Sequence, residues 1–291
     1  MISRDQVTLP HPVARPLAEC RTANLPHIAQ NLSIAIAALM AIASAFGLFA
    51  SGTYHDNDWA RSSFRGNDLV SLAFAVPLLL GSLVMARHGS VKAHVVWLGT
   101  LAYALYNYLF YLFGAAFNDL FLVYVGLVAL SVWALVLGLI STNPGRVHDE
   151  LAPDRPSWWV AGDMLLIALF LAVAWISQSL AYVANGKLPQ NIIDSGIHTS
   201  IVFALDLSFI VPAMVVGAWM YWSRNVWGAT LAGILVVKAA AYTIALISMS
   251  IFAAASDVDG AWTLIPVWLA MSIVSLISCW LLFGARPGNE R

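Results

Sequence analysis

Charged side chains are scarce in this sequence: lysine, arginine, aspartate and glutamate together make up only 10% of its 291 residues. A soluble domain carries about a quarter charged residues, because its surface must be hydrated. Hydrophobic residues make up 60%, and the mean hydropathy is +0.80. This balance excludes an ordinary soluble domain and predicts an integral protein of the lipid bilayer. The net charge of −1 gives no reason to expect a nucleic-acid partner.

Cysteine is almost absent as well. Cys20 lies in the polar N-terminal part and Cys279 in the last apolar segment, so neither a disulfide framework nor a metal-ligand spacing is present. The sequence also lacks the phosphate-binding GxxxxGK[ST] motif, the GxSxG nucleophile motif and a CxxC pair. We therefore expect no cofactor and no metal site, and no motif identifies an enzyme.

The apolar residues are grouped into eight runs, each long enough to cross a membrane. A transmembrane helix needs about 20 mainly apolar residues, and backbone groups in lipid must be satisfied by helices or by a closed barrel. These runs are too long for strands and do not alternate with a period of two. The sequence predicts an all-α, polytopic bundle with helices at roughly 32–50, 69–86, 95–116, 119–141, 158–183, 199–222, 226–254 and 261–285.

The distribution of basic residues predicts the orientation. Cytoplasmic loops carry an excess of lysine and arginine. With eight spans, one side holds most of them: Arg4, Arg15, Arg21, Arg87, Lys92, Arg146, Arg155, Arg224, Arg286 and Arg291. The other side holds Arg61, Arg65 and Lys187. We expect a bacterial plasma (inner) membrane protein whose N-terminal tail, 1–31, and C-terminus, 286–291, are both cytoplasmic.

A polar segment, 142–157, is predicted to be a cytoplasmic linker between two four-helix halves, 32–141 and 158–285. The halves show weak similarity, with Pro77 and Gly81 in one and Pro212 and Gly217 in the other, and Asn67-Asp68 set against Leu205-Asp206. Because each half would have four spans, such a repeat would be parallel. The alternative is that proline and glycine are simply common in membrane helices.

Two ionisable residues lie inside predicted spans, where a charge is costly unless it is paired or hydrated. Asp206 is in the sixth span and Lys238 is near the middle of the seventh. The two spans are consecutive and antiparallel, which leaves roughly 6 Å of height between the two backbones at about 1.5 Å per residue. A direct Asp206–Lys238 pair is therefore geometrically sensible if both side chains face the bundle interior, either as a structural lock or as part of a site that binds a substrate, an ion or a proton. The third interpretation is that the two side chains do not meet, with Lys238 reaching water by another route.

The third span has a polar aromatic face. Tyr103, Asn107 and Tyr111 recur at helical spacing, and their polar ends need partners on neighbouring helices or in a cavity. Interhelical hydrogen bonding and a ligand-facing wall are the two interpretations.

Further candidates lie mostly on the side opposite the termini. Asp68 and Asp119 are at the ends of their spans, with His55 and His198 in or near the loops. These residue types suit proton relay or metal coordination, although solvated loop residues are the simpler interpretation. Gln178, in the fifth span, is a further candidate for a cavity wall.

Three functional hypotheses follow. The first is a transporter of a small molecule or ion, with Asp206, Lys238 and the third span lining its path. The second is an intramembrane enzyme acting on a lipid or isoprenoid through a carboxylate opposite the termini. The third is a non-catalytic sensor, assembly factor or partner subunit whose polar interior groups only specify packing.

Overall fold

A computed structural model describes residues 25–152, 157–258 and 260–284. It is 84% helix, and the part of the chain it describes contains no strand. Eight helices are long and apolar enough to cross a membrane, which confirms the predicted helical bundle. The chain is a multi-pass membrane protein in contact with the lipid bilayer. Most of the predicted cytoplasmic tail, including Cys20, the residues 153–156 of the predicted linker, and the predicted C-terminus lie outside the described residues.

The described helices number ten. The spans are α1 (Leu25–Phe49), α2 (Asp58–Arg87), α3 (Val91–Gly114), α4 (Phe121–Ile140), α6 (Trp158–Asn185), α8 (Ile201–Trp222), α9 (Gly228–Ala255) and α10 (Ala261–Gly284), and two short helices are α5 (Pro144–Leu151) and α7 (Gln190–Ser195). We call the side of the bundle that holds Leu25 and Gly284 the proximal side. The opposite side, with loops 50–57, 115–120, 186–200 and 256–260, is the distal side.

Helix α2 begins eleven residues before the predicted apolar run. The side chain of Asn57 accepts a hydrogen bond from Ala60 N–H and so caps the helix. The turns that follow are polar, yet Ser63, Gly66 and Asn67 are buried because they pack inside the bundle. A hydropathy pattern identifies helices that face lipid. It therefore misses the first turns of α2, whose polar side chains are enclosed by protein.

The short helix α5 lies within the predicted linker. The side chain of Asn143 accepts a hydrogen bond from Arg146 N–H at its start, and Val147 and Leu151 are buried. Helix α5 packs against α3 and α9. The helical part of the predicted linker is therefore packed against the bundle on the proximal side.

Helices α3 and α9 form the interior of the bundle. Each is buried over most of its length, whereas the remaining spans expose most of theirs. The exposed faces of those spans carry large apolar side chains such as Phe49, Leu122, Val183 and Trp280, as expected of surfaces in contact with lipid tails. Helix α9 contacts α2 and α3 of the first half as well as α8 and α10 of the second, so it joins the two halves.

Helices α2 and α8 share an irregularity. Each contains one π-helical turn, Ser71–Ala75 in α2 and Asp206–Ile210 in α8, followed at once by Val-Pro. In both, the valine N–H bonds to the carbonyl five residues earlier, and the proline has no N–H to donate. This shared feature supports the proposed repeat, but in a different register, because it matches Asp206 with Ser71 rather than with Asp68.

Close contact between α2 and α9 depends on Gly66. Ser248 Oγ donates to the Gly66 carbonyl at 2.7 Å. A Cβ at position 66 would lie 2.6 Å from the backbone oxygen of Ser248, which cannot move without shifting α9. The two halves of the chain therefore meet backbone to backbone at this point.

We predict that Gly66→Ala lowers the free energy of unfolding by about 1–3 kcal/mol through overpacking. The matched control is Gly81→Ala, where a Cβ would meet no atom within 4 Å, and which we expect to stabilise by about 0.5–1 kcal/mol. Thermal unfolding of the purified protein in detergent measures both. Equal melting temperatures for the two variants would contradict the contact.

Candidate functional site

A cavity of about 250 Å³ lies between the two halves of the bundle. It reaches from the middle of α9 to the distal loops, and most of its wall is apolar. The lining side chains that matter most below are Trp175 on α6, Asp206 on α8, and Lys238 and Tyr242 on α9. Asn191, Ser195 and Ser200 line its distal end.

Lys238 lies at the deep end of this cavity and is 5% exposed. Its ammonium nitrogen is 3.7 Å from the ring centroid of Tyr106 and 4.8 Å from that of Tyr242. Both rings offer their negative faces to the cation. Within the described part of the chain, Lys238 Nζ makes no hydrogen bond, so its N–H groups are available to a molecule in the cavity.

Asp206 begins the π-helical turn of α8 and is 3% exposed. Each carboxylate oxygen accepts one hydrogen bond: Oδ1 from the Tyr106 hydroxyl at 2.7 Å and Oδ2 from Trp175 Nε1 at 2.8 Å. The Trp175 ring is itself held by stacking on Phe203, with centroids 4.3 Å apart. The Asp206 carboxylate is therefore fixed by neutral donors.

Asp206 and Lys238 do not form the direct pair that the sequence allows. No nitrogen–oxygen contact within 4 Å joins them, and among the described residues the only such ion pair is Arg61–Asp58 on the distal surface. Tyr106 occupies the gap, with its hydroxyl on Asp206 and its ring under Lys238. The sequence estimate gave the height difference correctly enough to place both residues at one site, but it could not reveal a third side chain between them.

The polar face of α3 does not line the cavity. Asn67 Nδ2 donates to Asn107 Oδ1 at 2.6 Å, Tyr103 Oη lies 3.3 Å from Ser71 Oγ, and Tyr111 Oη donates to Asp68 Oδ1 at 3.0 Å. All of these side chains are buried between α2 and α3. The contacts favour the interhelical interpretation for Tyr103, Asn107 and Tyr111.

Asp68 is enclosed in the first half, with 1% exposure. Tyr54, from the distal loop 50–57, donates to Asp68 Oδ2 at 2.5 Å. A Cβ on Gly47 of α1 would overlap this carboxylate, so glycine is needed there. In the same loop Asp56 accepts a hydrogen bond from Ala116 N–H, and partial burial raises the pKa of the Asp56 carboxyl above its ordinary value.

The other predicted candidates lie apart. Asp119 is exposed in the loop before α4, and Gln178 donates to the carbonyl of Ala174 on its own helix. His55 and His198 are both exposed. In the described ranges, no three histidine, cysteine, aspartate or glutamate side chains group in a way that could hold a metal ion.

Two side chains of the site, and one buried carboxylate outside it, were missed by sequence reasoning. Tyr106 and Trp175 resemble ordinary membrane aromatics, and only their positions relative to Asp206 identify them. Asp163 of α6 is a further buried carboxylate, with Ser275 donating to Oδ1 at 3.3 Å and Oδ2 unpartnered. A count of acidic residues within the predicted spans would have found Asp163.

The chain matches no protein-family model, no curated protein and no solved structure. The function must therefore be argued from the site itself.

We predict that Tyr106→Phe lowers the free energy of unfolding by about 1.5–3 kcal/mol, since it leaves one oxygen of a buried carboxylate without its donor. The phenylalanine ring keeps the face beneath Lys238, so the loss reports the hydroxyl alone. Tyr182→Phe is the control, because Tyr182 is exposed on α6. If denaturant unfolding gives the two variants equal stability, the Tyr106–Asp206 bond contributes nothing.

Proposed function

We propose that this multi-pass membrane protein is a carrier for a small, mainly apolar molecule with one anionic end. The observation that carries the proposal is the Lys238 ammonium group, which lines a cavity and donates no hydrogen bond to any described residue. A buried ammonium with unused N–H groups is costly. An anionic ligand group beside Lys238 would satisfy it.

The wall of the cavity supports the apolar part of this ligand. Leu171, Met214, Leu246 and Trp268 are among the side chains that surround the space above Lys238. A volume of about 250 Å³ is below the roughly 300–1,000 Å³ of sites for drug-sized ligands. The expected ligand is therefore a small amphiphile rather than a membrane lipid with two chains.

The position of the cavity favours a carrier over the other two hypotheses. Substrate sites of carriers lie near the middle of the membrane, between the halves of the protein, and this cavity lies between α2 and α3 of one half and α6 to α10 of the other. An enzyme of the proposed kind needs converging carboxylates on the distal side. Asp68 is enclosed while Asp119 is exposed, so these two do not supply them.

We also propose that the protein lies in a bacterial plasma membrane with its proximal side in the cytoplasm. Arg87, Lys92, Arg146 and Arg224 are all on the proximal side, whereas Lys187 and the pair Arg61 and Arg65 are distal. An excess of basic residues near the ends of spans is typical of the cytoplasmic side.

The carrier proposal predicts saturable uptake of radiolabelled 1-octanesulfonate into proteoliposomes. The sulfonate is an apolar chain with a permanently ionised end, so it does not cross the bilayer as a neutral acid. Lys238→Met should reduce uptake at least about tenfold, because the charge-assisted hydrogen bonds to the sulfonate are lost.

Lys187→Met is the matched control. Lys187 is exposed in a distal loop, so the substitution removes the same charge far from the cavity. Its uptake should equal that of the unaltered protein. Saturable uptake that survives Lys238→Met, or no saturable uptake by the unaltered protein, would contradict the proposal.

The topology proposal predicts a difference in labelling. In a background with Cys20 and Cys279 replaced by serine, Lys187→Cys should react with a membrane-impermeant maleimide in intact cells. Arg146→Cys, equally exposed but on α5 of the proximal side, should react only after the membrane is permeabilised. The reverse pattern would show that the orientation is inverted.

A further inference from the structure

Asp68 and five hydroxyl-bearing side chains around it form a cluster of six in the first half of the chain, away from the cavity. We call them the Asp68 cluster: Ser44, Tyr54, Asp68, Tyr108, Tyr111 and Tyr124. We propose that the Asp68 cluster binds one sodium ion. The site is independent of the proposed ligand cavity, because none of these six side chains lines it.

The first observation is that three hydroxyls of the cluster have no partner. Ser44 Oγ, Tyr108 Oη and Tyr124 Oη are buried and make no hydrogen bond to any residue that the structure describes, and their residues are at most 2% exposed. Buried polar atoms are nearly always satisfied, so three orphans in one place indicate a missing partner. A hydroxyl can both donate and accept, so that partner is either a water molecule or a cation bound by the oxygen lone pairs.

These hydroxyls lie around the same carboxylate. Tyr111, which donates to Asp68, has its ring centroid 5.6 Å from that of Tyr108 and 5.3 Å from that of Tyr124. Ser44 Oγ of α1 lies near Asp68 and Tyr108, and Tyr124 Oη lies near Tyr54 and Asn118, in each case just outside hydrogen-bond geometry. All three unpartnered hydroxyls therefore lie close enough to the Asp68 carboxylate to interact with it.

The charge of the cluster favours a cation over a water molecule. Asp68 has no ion pair within 4 Å among the described residues. Arg65, the nearby basic residue on α2, is exposed and donates to the carbonyl of Leu48, and it acts on Asp68 only at longer range. The two tyrosine donors solvate the Asp68 carboxylate without neutralising its charge. A cation in the cluster would neutralise that charge, whereas a bound water would not, and an unneutralised charge is costly in a membrane interior.

The ligand set selects a small monovalent ion. All donors are oxygens, which suit hard cations, and a single carboxylate balances a single positive charge. A proton would neutralise Asp68 yet leave the three hydroxyls unpartnered. The overlap that a Cβ on Gly47 would make with Asp68 Oδ2 shows how closely α1 encloses the site, and this favours sodium over the larger potassium ion.

Access is expected from the distal side. Tyr54 belongs to the loop 50–57 and covers Asp68 from that side. A sodium ion would enter when this loop moves and would keep two carboxylate–tyrosine hydrogen bonds as part of its surroundings. The cluster is therefore placed to respond to the sodium concentration outside the cell, if the proposed orientation holds.

The test is thermal unfolding of the full-length protein in detergent, in NaCl against choline chloride of equal ionic strength at fixed pH. A ligand that binds only the folded state raises its stability with concentration, so NaCl should raise the melting temperature in a saturable way. Asp68→Asn should abolish the rise. The proposal is overturned if NaCl and choline chloride give the same melting temperature, or if the sodium response persists in Asp68→Asn.

Tyr124→Phe provides a second test in case Asp68→Asn does not fold. The Tyr124 hydroxyl has no hydrogen bond to lose, so this variant should fold normally in choline chloride while its sodium midpoint rises about tenfold. Ser131→Ala is the control, because it removes an equally unpartnered hydroxyl two turns further along α4. An unchanged midpoint in Tyr124→Phe, or an equal change in Ser131→Ala, would also overturn the proposal. Neither result bears on the cavity at Lys238.

Discussion

The packing of Tyr106 against Asp206 and Lys238 is the interaction on which the interior of the second half depends. An acid and a base buried among apolar helices are each costly, and a close ion pair would make them satisfy one another. Here the phenol separates them, with its hydroxyl on Asp206 and its ring beneath Lys238. Because Asp206 is satisfied by neutral donors, the ammonium of Lys238 keeps its N–H groups for the cavity. A direct salt bridge would have closed the site that the carrier proposal requires.

The sequence predicted the membrane architecture well because the bilayer imposes a simple rule, a run of about 20 apolar residues for each crossing. All eight spans were found this way. The same rule failed where protein replaces lipid: the first turns of α2 are polar but enclosed, and Asn57, not hydropathy, fixes where that helix starts. Side-chain placement depends on the rotation of each helix about its axis, which apolar runs do not encode. Tyr106 and Trp175 could not be assigned for that reason.

The two buried carboxylates that sequence analysis selected are held by the same chemistry. Asp68 accepts from two tyrosine hydroxyls, and Asp206 from a tyrosine hydroxyl and an indole N–H. Aromatic donors suit this environment, since their rings replace apolar packing while the polar end reaches the charge. The surroundings of the two carboxylates differ in which groups lack a partner. Around Asp68 these are hydroxyl oxygens, which suit the proposed cation, whereas near Asp206 they are the N–H groups of Lys238, which suit the proposed anionic ligand.

The shared π-helical turns give this difference a structural origin. One displacement along the chain relates Pro77 to Pro212, Ser71 to Asp206 and Tyr103 to Lys238. In the first half the equivalent positions form a neutral contact, with Tyr103 Oη 3.3 Å from Ser71 Oγ. Both side chains are buried. In the second half the same positions carry opposite charges, and Tyr106 lies between them. Two neutral polar residues in the first half thus correspond in position to two charged residues in the second. That difference would account for the cavity extending to Lys238 on α9 while Tyr103 and Ser71 stay packed in the first half.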